Sequence, residues 1–223
     1  MHQRKSKKIL IYFFLLFFVS STSNNFLHNL KLSTIQSINI SGLEPNENKI
    51  LYNKIKNLIK ENIFFVNKNE IIKLINANSL IENYEVFKEY PSTININIQR
   101  TNFIARINKN GKIFLIGSNG KLTFSENTHK ELPYIFGKPS TNEILKFKQI
   151  IDKSKFSYNQ IDNLYFFSSK RWDIKLKGNT LLKLPTNVNH KTLDHLYEFL
   201  ANYSGNNFTV VDYRLKNQII LNE

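Results

Sequence analysis

The sequence predicts an α+β protein: an N-terminal transmembrane helix, a β-α-α-β-β module, then a mostly antiparallel β domain with two helices. Three observations carry this. The run Ile9 to Val19 is strongly apolar and follows a basic N-terminus. Ile94, Ile96 and Ile98 alternate with Asn95, Asn97 and Gln99, one apolar and one polar face at period two, after two stretches of helical periodicity. From Thr101 onward, Asn-Gly pairs separate short apolar runs, which reads as successive hairpins.

Arg4, Lys5, Lys7 and Lys8 precede ILIYFFLLFFV, and the next charge is Lys31. A signal peptide has an apolar core of about 7–15 residues and a small-residue cleavage site. A membrane anchor has about 20 residues of low polarity. No Ala-x-Ala site follows, although Ser21-Thr22-Ser23 fits one loosely. The favoured reading is a basic cytoplasmic tail over 1–8 and an uncleaved anchor over 9–30, with cleavage as the alternative. Both place the basic end inside and the bulk of the chain outside.

Residues 35–41 read as a strand ending at Gly42, and Pro45 to Glu47 as a helix start. Leu51, Ile55, Leu58 and Ile59 then recur at helical spacing. Asn67 with Glu70 resembles a capping box ahead of Ile71, Ile72, Leu74 and Ile75. Strands at about 84–89 and 94–100, joined by Tyr90-Pro91, close a module over 33–101.

The second domain, 102–223, begins with a three-strand meander turned at Asn110-Gly111 and Asn119-Gly120. Ser140-x-x-Glu143 is a capping box for a helix whose apolar side is Ile144, Leu145, Phe147, Ile150 and Ile151. Strands follow at about 161–167 and 171–177, and Gly178-Asn179 turns the chain into TLLKLP. Leu193, Leu196, Tyr197 and Leu200 share one face of a further helix, capped near Asn189. Strands at about 208–214 and 217–221 end the chain.

Composition excludes several classes of chemistry. Cysteine is absent, which rules out disulfides, thiolate metal sites and cysteine catalysis. The net charge is +14, yet only five of the 31 basic residues are Arg, and the Lys residues are scattered through every element. A nucleic-acid protein gathers its charge on one face among aromatics, so no nucleic-acid partner is expected. His190 and His195 are five apart and do not share a helix face as an i, i+4 metal pair would. No G-x-S-x-G, Walker or G-x-G-x-x-G pattern occurs. No catalytic, metal or cofactor site is therefore expected. Trp172, the single Trp, reads as core, with Arg171 beside it available for an interface.

The order of these elements resembles the bacterial cell-division family FtsQ/DivIB over nearly the whole chain. I38-N-I-S-G42 resembles the first strand and Gly of that family's POTRA domain. Glu85 to Arg100 (EVFKEYPSTININIQR) resembles its closing hairpin, with Glu89 at a usually basic position and Gln99-Arg100 in place of Glu-Arg. Phe103 stands where the family usually has Pro. Arg171-Trp172 with KLKGNTLLKLP, and Val211-Asp212-Tyr213-Arg214, resemble two motifs of its β domain.

That resemblance implies a non-catalytic scaffold in the cell inner membrane at the division septum. It implies FtsB and FtsL as partners of the β domain, and FtsK and other divisome proteins through the POTRA domain. The family docks FtsB near its last strand, which maps to RLKNQIIL, residues 214 to 221. A terminal strand at a sheet edge can accept a partner strand through its open backbone groups. The implied contacts are Arg214, Leu215, Lys216, Asn217 and Gln218, with Arg171 nearby. Relatives often carry a longer tail, and with the sequence ending at Glu223 no tail contact is expected. The rival reading is a membrane-anchored POTRA protein of envelope assembly or secretion.

Overall fold

The computed structural model describes residues 3–22, 35–59, 66–126, 129–203, 208–215 and 218–222. They form two units: Met1–Ile75 with Tyr84–Ile98, and Asn76–Asn83 with Gln99–Glu223. The mixed α+β class expected from sequence is present.

Helix α1 spans Gln3–Thr22 and exposes its apolar residues from Ile9 to Val19. Among the described residues no helix is long and apolar enough to cross a membrane. Residues 23–30 of the expected anchor lie outside the described residues.

Strand β1 (Ser37–Ser41), helices α2 (Pro45–Leu58) and α3 (Lys68–Ala77), and strands β2 (Ile81–Glu89) and β3 (Thr93–Arg100) follow in the expected order. The sheet order is β1-β3-β2, with β1 parallel to β3 and Ile38, Ile40 opposite Ile94, Ile96. Ile94, Ile96 and Ile98 are buried, as are Leu51, Ile55, Ile71 and Ile75 of the helices. Each such side chain contributes about 1.5–3 kcal/mol of transfer free energy. The polar face becomes an amide ladder: Asn39 Nδ2 donates to Asn95 at 2.9 Å, Asn95 Nδ2 to Glu89 at 2.7 Å, and Ser41 to Asn97 at 3.1 Å. Gly42 is required at its place. Its φ is +104°, and a Cβ there would lie 1.7 Å from the carbonyl oxygen of Ile98.

Two local expectations change. Strand β2 begins at Ile81, three residues early, because periodicity fades in the polar Glu82-Asn83 pair. Asn67 Oδ1 accepts from the amide of Asn69, an Asx turn in place of the expected box with Glu70. A reciprocal contact not foreseen starts α2, where the carboxylate of Glu47 accepts from the amide of Glu44.

In the second unit the strands are β4 (Phe103–Lys109), β5 (Lys112–Gly117), β6 (Leu122–Phe124), β7 (Tyr134–Phe136), β8 (Ile161–Phe166), β9 (Trp172–Leu176), β10 (Leu181–Lys183), β11 (Val210–Asp212) and β12 (Ile220–Asn222). Their order is β12-β11-β10-β9-β8-β7-β4-β5-β6. The β4-β5-β6 meander forms as expected; Asn110 and Gly111 have φ of 53° and 80°. Strand β7 was not foreseen. Three residues between Pro133 and Gly137 carry too little periodicity, and only parallel pairing with β4 and β8 makes them a strand.

Val211, Leu182, Ile174, Leu164, Ile135 and Ile107 stand in register across the sheet. Helices α4 (Thr141–Asp152) and α5 (His190–Asn202) cover that face with Ile144, Phe147, Ile151, Leu193 and Leu196. Phe147 stacks on Trp172 at 4.6 Å and 4°, which confirms Trp172 as core. Segment 76–83 belongs to this unit through hydrogen bonds: Thr101 and Ser118 each donate to Glu82 at 2.8 Å, and Asn119 Nδ2 donates to the carbonyls of Ser79 and Ile81 at 2.9 Å.

Candidate functional site

The nine-stranded sheet ends at β12, and among the described residues no strand pairs with its far side. Asp212 faces Ile220, Val211 faces Leu221 and Val210 faces Asn222. Thr209 seals the end of the pair, donating its amide and hydroxyl to the carbonyl of Asn222 at 3.0 and 3.1 Å. Ile220 and Leu221 are 53% and 42% exposed, one on each face of the strand because successive side chains alternate. Two apolar residues with open backbone beside them can take an added strand.

Charged side chains lead up to this edge. On the face away from the helices, Asp173, Lys183, Asp212 and Ile220 fall in one transverse row. Asp173 is 3% exposed and fully engaged. It accepts from Arg171 Nε and Nη2 at 3.2 and 3.3 Å and from the amide of Leu184 at 3.1 Å. Arg171 also lies over the Phe167 ring at 4.2 Å. A buried carboxylate needs such partners, since leaving it unpaired costs several kcal/mol in desolvation.

Asp212 repeats the arrangement one strand from the edge. Arg214 Nε lies 2.8 and 2.9 Å from its two oxygens, Nη2 at 2.5 Å, and the Arg214 amide at 3.1 Å. The side-chain bonds from Arg214 hold the Asp212 carboxyl below its ordinary value of 3.8, against the opposing effect of burial. The same pair raises Arg214. Both arginines thus sit two residues from an aspartate on their own chain.

The residues singled out by sequence are spread unevenly. Arg214, Leu215 and Gln218 lie in the connection between β11 and β12, not in a strand; only Ile220 to Asn222 pair. The expected strand 217–221 is shorter: the Gln218 amide bonds the Leu215 carbonyl at 3.4 Å, and pairing with β11 starts at Ile220. Leu215 is 54% exposed. Lys216 and Asn217 lie outside the described residues. Asp173 and Asp212, which orient the two arginines, were missed as a pair; their signal is the Arg-x-Asp and Asp-x-Arg spacing, on strands that flank β10. Among the described residues no group of three His, Asp or Glu is placed to hold a metal.

Comparison with known proteins agrees with this architecture. Residues 33–99 match the FtsQ-type POTRA domain. Residues 98–214 match the C-terminal domain of cell division protein FtsQ/DivIB. Cell division protein FtsQ of Rickettsia bellii is 28% identical over 166 residues, covering 70% of this chain and 60% of the relative. Cell division protein DivIB of Staphylococcus aureus is 29% identical over 118 residues, covering 50% of this chain and 26% of the relative. The chain therefore spans less than two thirds of the length of these curated relatives. The solved major extracytoplasmic domain of DivIB from Geobacillus stearothermophilus is 12% identical, with a TM-score of 0.35 over 48% of this chain and 96% of that one. With one family match covering more than half of its length and a second preceding it in order, the chain belongs to the FtsQ/DivIB family of cell-division proteins.

Proposed function

We propose that this protein is a non-catalytic divisome scaffold, held in the inner membrane by residues 9–30 with its tail 1–8 cytoplasmic. Its POTRA module, 33–101, and β domain, 102–223, then work outside that membrane at the septum. The β domain docks FtsB, with FtsL alongside, and the POTRA module meets FtsK and other division proteins. Family membership supports the cell-division role. The observation that carries the docking reading is the edge of β12, with Ile220 and Leu221 exposed beside backbone that no strand among the described residues pairs.

A partner strand added to β12 would extend the sheet by main-chain hydrogen bonds. Arg214, Leu215, Lys216, Asn217 and Gln218 would flank it, with Arg171 further along the same face. The guanidinium of Arg214, oriented by Asp212, would then offer its charge to an acidic residue of the partner.

The test measures binding of the full chain, in lipid nanodiscs, to the extracytoplasmic segment of the same organism's FtsB. Wild type is compared with Ile220→Pro and Lys216→Glu. Proline removes an N–H and cannot sit within a strand that is paired on both sides. Loss with Ile220→Pro and weakening with Lys216→Glu support the edge. Binding by folded Ile220→Pro protein at wild-type strength would place the partner elsewhere.

A further inference from the structure

A cleft of about 450 Å³ opens in the second unit, lined by the 3-10 turn Tyr158–Gln160 and its flanks, the β9–β10 turn and the last turns of α5. Its volume is within the range of small-ligand sites. Phe156, Tyr197 and Leu200 form an apolar floor, with Phe156 and Tyr197 edge to face at 5.4 Å. Asn159, Gln160 and Lys177 stand on the rim. Gln160 accepts, through Oε1, from the amide of Ser157 at 3.2 Å, which uses one of its two acceptor sites and neither of its Nε2 donors. Lys177 contributes only donors. The acidic residues nearest on α5 are otherwise engaged: Asp194 accepts from the amide of Lys155 at 2.7 Å, and Glu198 pairs with the Lys155 ammonium at 2.5 Å. At Gly178, which lines the cleft, an added Cβ would meet no atom of the described residues within 4 Å.

We infer that this cleft binds the C-terminal residue of a polypeptide partner, an apolar side chain on the floor and a free carboxylate on Lys177 and the amides. An apolar base next to a rim of donors fits a group that is apolar at one end and anionic at the other. A chain terminus supplies both within one residue, as in other C-terminal carboxylate capture sites. The inference is separate from the docking edge: it concerns other residues and does not depend on the β12 reading.

The experiment titrates the full chain in nanodiscs with two acetylated tripeptides, Ala-Leu-Phe with a free carboxylate and the same peptide as its carboxamide. Ala201 lines the cleft and is itself exposed, so Ala201→Trp fills it without crowding the core. The acid should bind about tenfold more tightly than the amide, and Lys177→Gln should remove most of that difference. Ala201→Trp should abolish binding of both while leaving the thermal transition in place. Equal binding of acid and amide would overturn the carboxylate assignment. Binding that survives Ala201→Trp, or no binding at millimolar peptide, would overturn the site.

Discussion

The two sheets of this protein meet the same requirement by different means. Each has one face buried under helices and another that must satisfy polar groups. In the POTRA sheet that outer face is a ladder of amides and hydroxyls, Asn39 to Asn95 and Ser41 to Asn97, that ends on the one carboxylate of Glu89. In the larger sheet it is ionic, with Arg171 on Asp173 and Arg214 on Asp212. Net charge divides along the same line. Residues 35–98 hold seven Lys and seven Glu, whereas residues 99–223 hold nineteen Lys and Arg against ten Asp and Glu. The total of +14 is therefore not spread evenly, despite Lys in every element. The difference teaches that one module is close to electrically silent while the other presents charge near its open edge.

Four changes would break or sharpen that contrast. The largest effect is expected from Trp172→Ala, which removes the stack on Phe147 and leaves a cavity. It should cost the second unit about 4 kcal/mol. Hydrogen exchange resolved by segment should show the loss in β8 to β10 and leave β1 and β3 protected. Gly42→Ala is the counterpart in the POTRA module. With φ at +104° and the Ile98 carbonyl in the way, it should cost about 3 kcal/mol there, and exchange in β4 to β12 should stay unchanged.

Acid should separate the modules next. Asp212, Glu131, Glu143 and Glu198 of the second unit are all held below their ordinary values by hydrogen bonds and nearby cations. A depressed carboxyl stabilises fully above its ordinary value, and that contribution is lost as pH falls through the lower folded value. Protection of β11 and β12 should thus fall as pH drops below about 4, and Asp212→Asn should flatten that dependence. The smallest effect belongs to the amide ladder. Asn95→Ala removes exposed side-chain bonds and should cost the first module only about 0.5 kcal/mol by chemical denaturation. A loss several times larger would show that the ladder, not the Ile face, holds β1 in place.

Much of the fold was legible in local pattern. Strict alternation of Ile and Asn marked β3, two Asn-Gly pairs marked the meander, and Ser140-x-x-Glu143 marked α4, where Ser140 accepts from the Glu143 amide at 3.3 Å. What was not legible was non-local. Strand β7 has three residues and gains its identity from neighbours at Arg106 and Asn163, far apart in sequence. At the candidate site, the sequence pattern began the last strand at about 217, whereas pairing starts at Ile220. Pairing with Val210 to Asp212 decides which residues bond, and register is invisible until both strands are in place.

By itself, then, the sequence determined the order of the elements from β1 onward except β7, the apolar face of the helices and of β3, and the family, because these follow from periodicity and motifs within a few residues. The tertiary structure alone decided that β12 is the sheet edge, that Arg171 and Arg214 are oriented by Asp173 and Asp212, and that segment 76–83 joins the second unit. Each of these depends on which strands become neighbours. That choice is made by the burial of a common apolar face, a property of the whole unit that no single stretch contains.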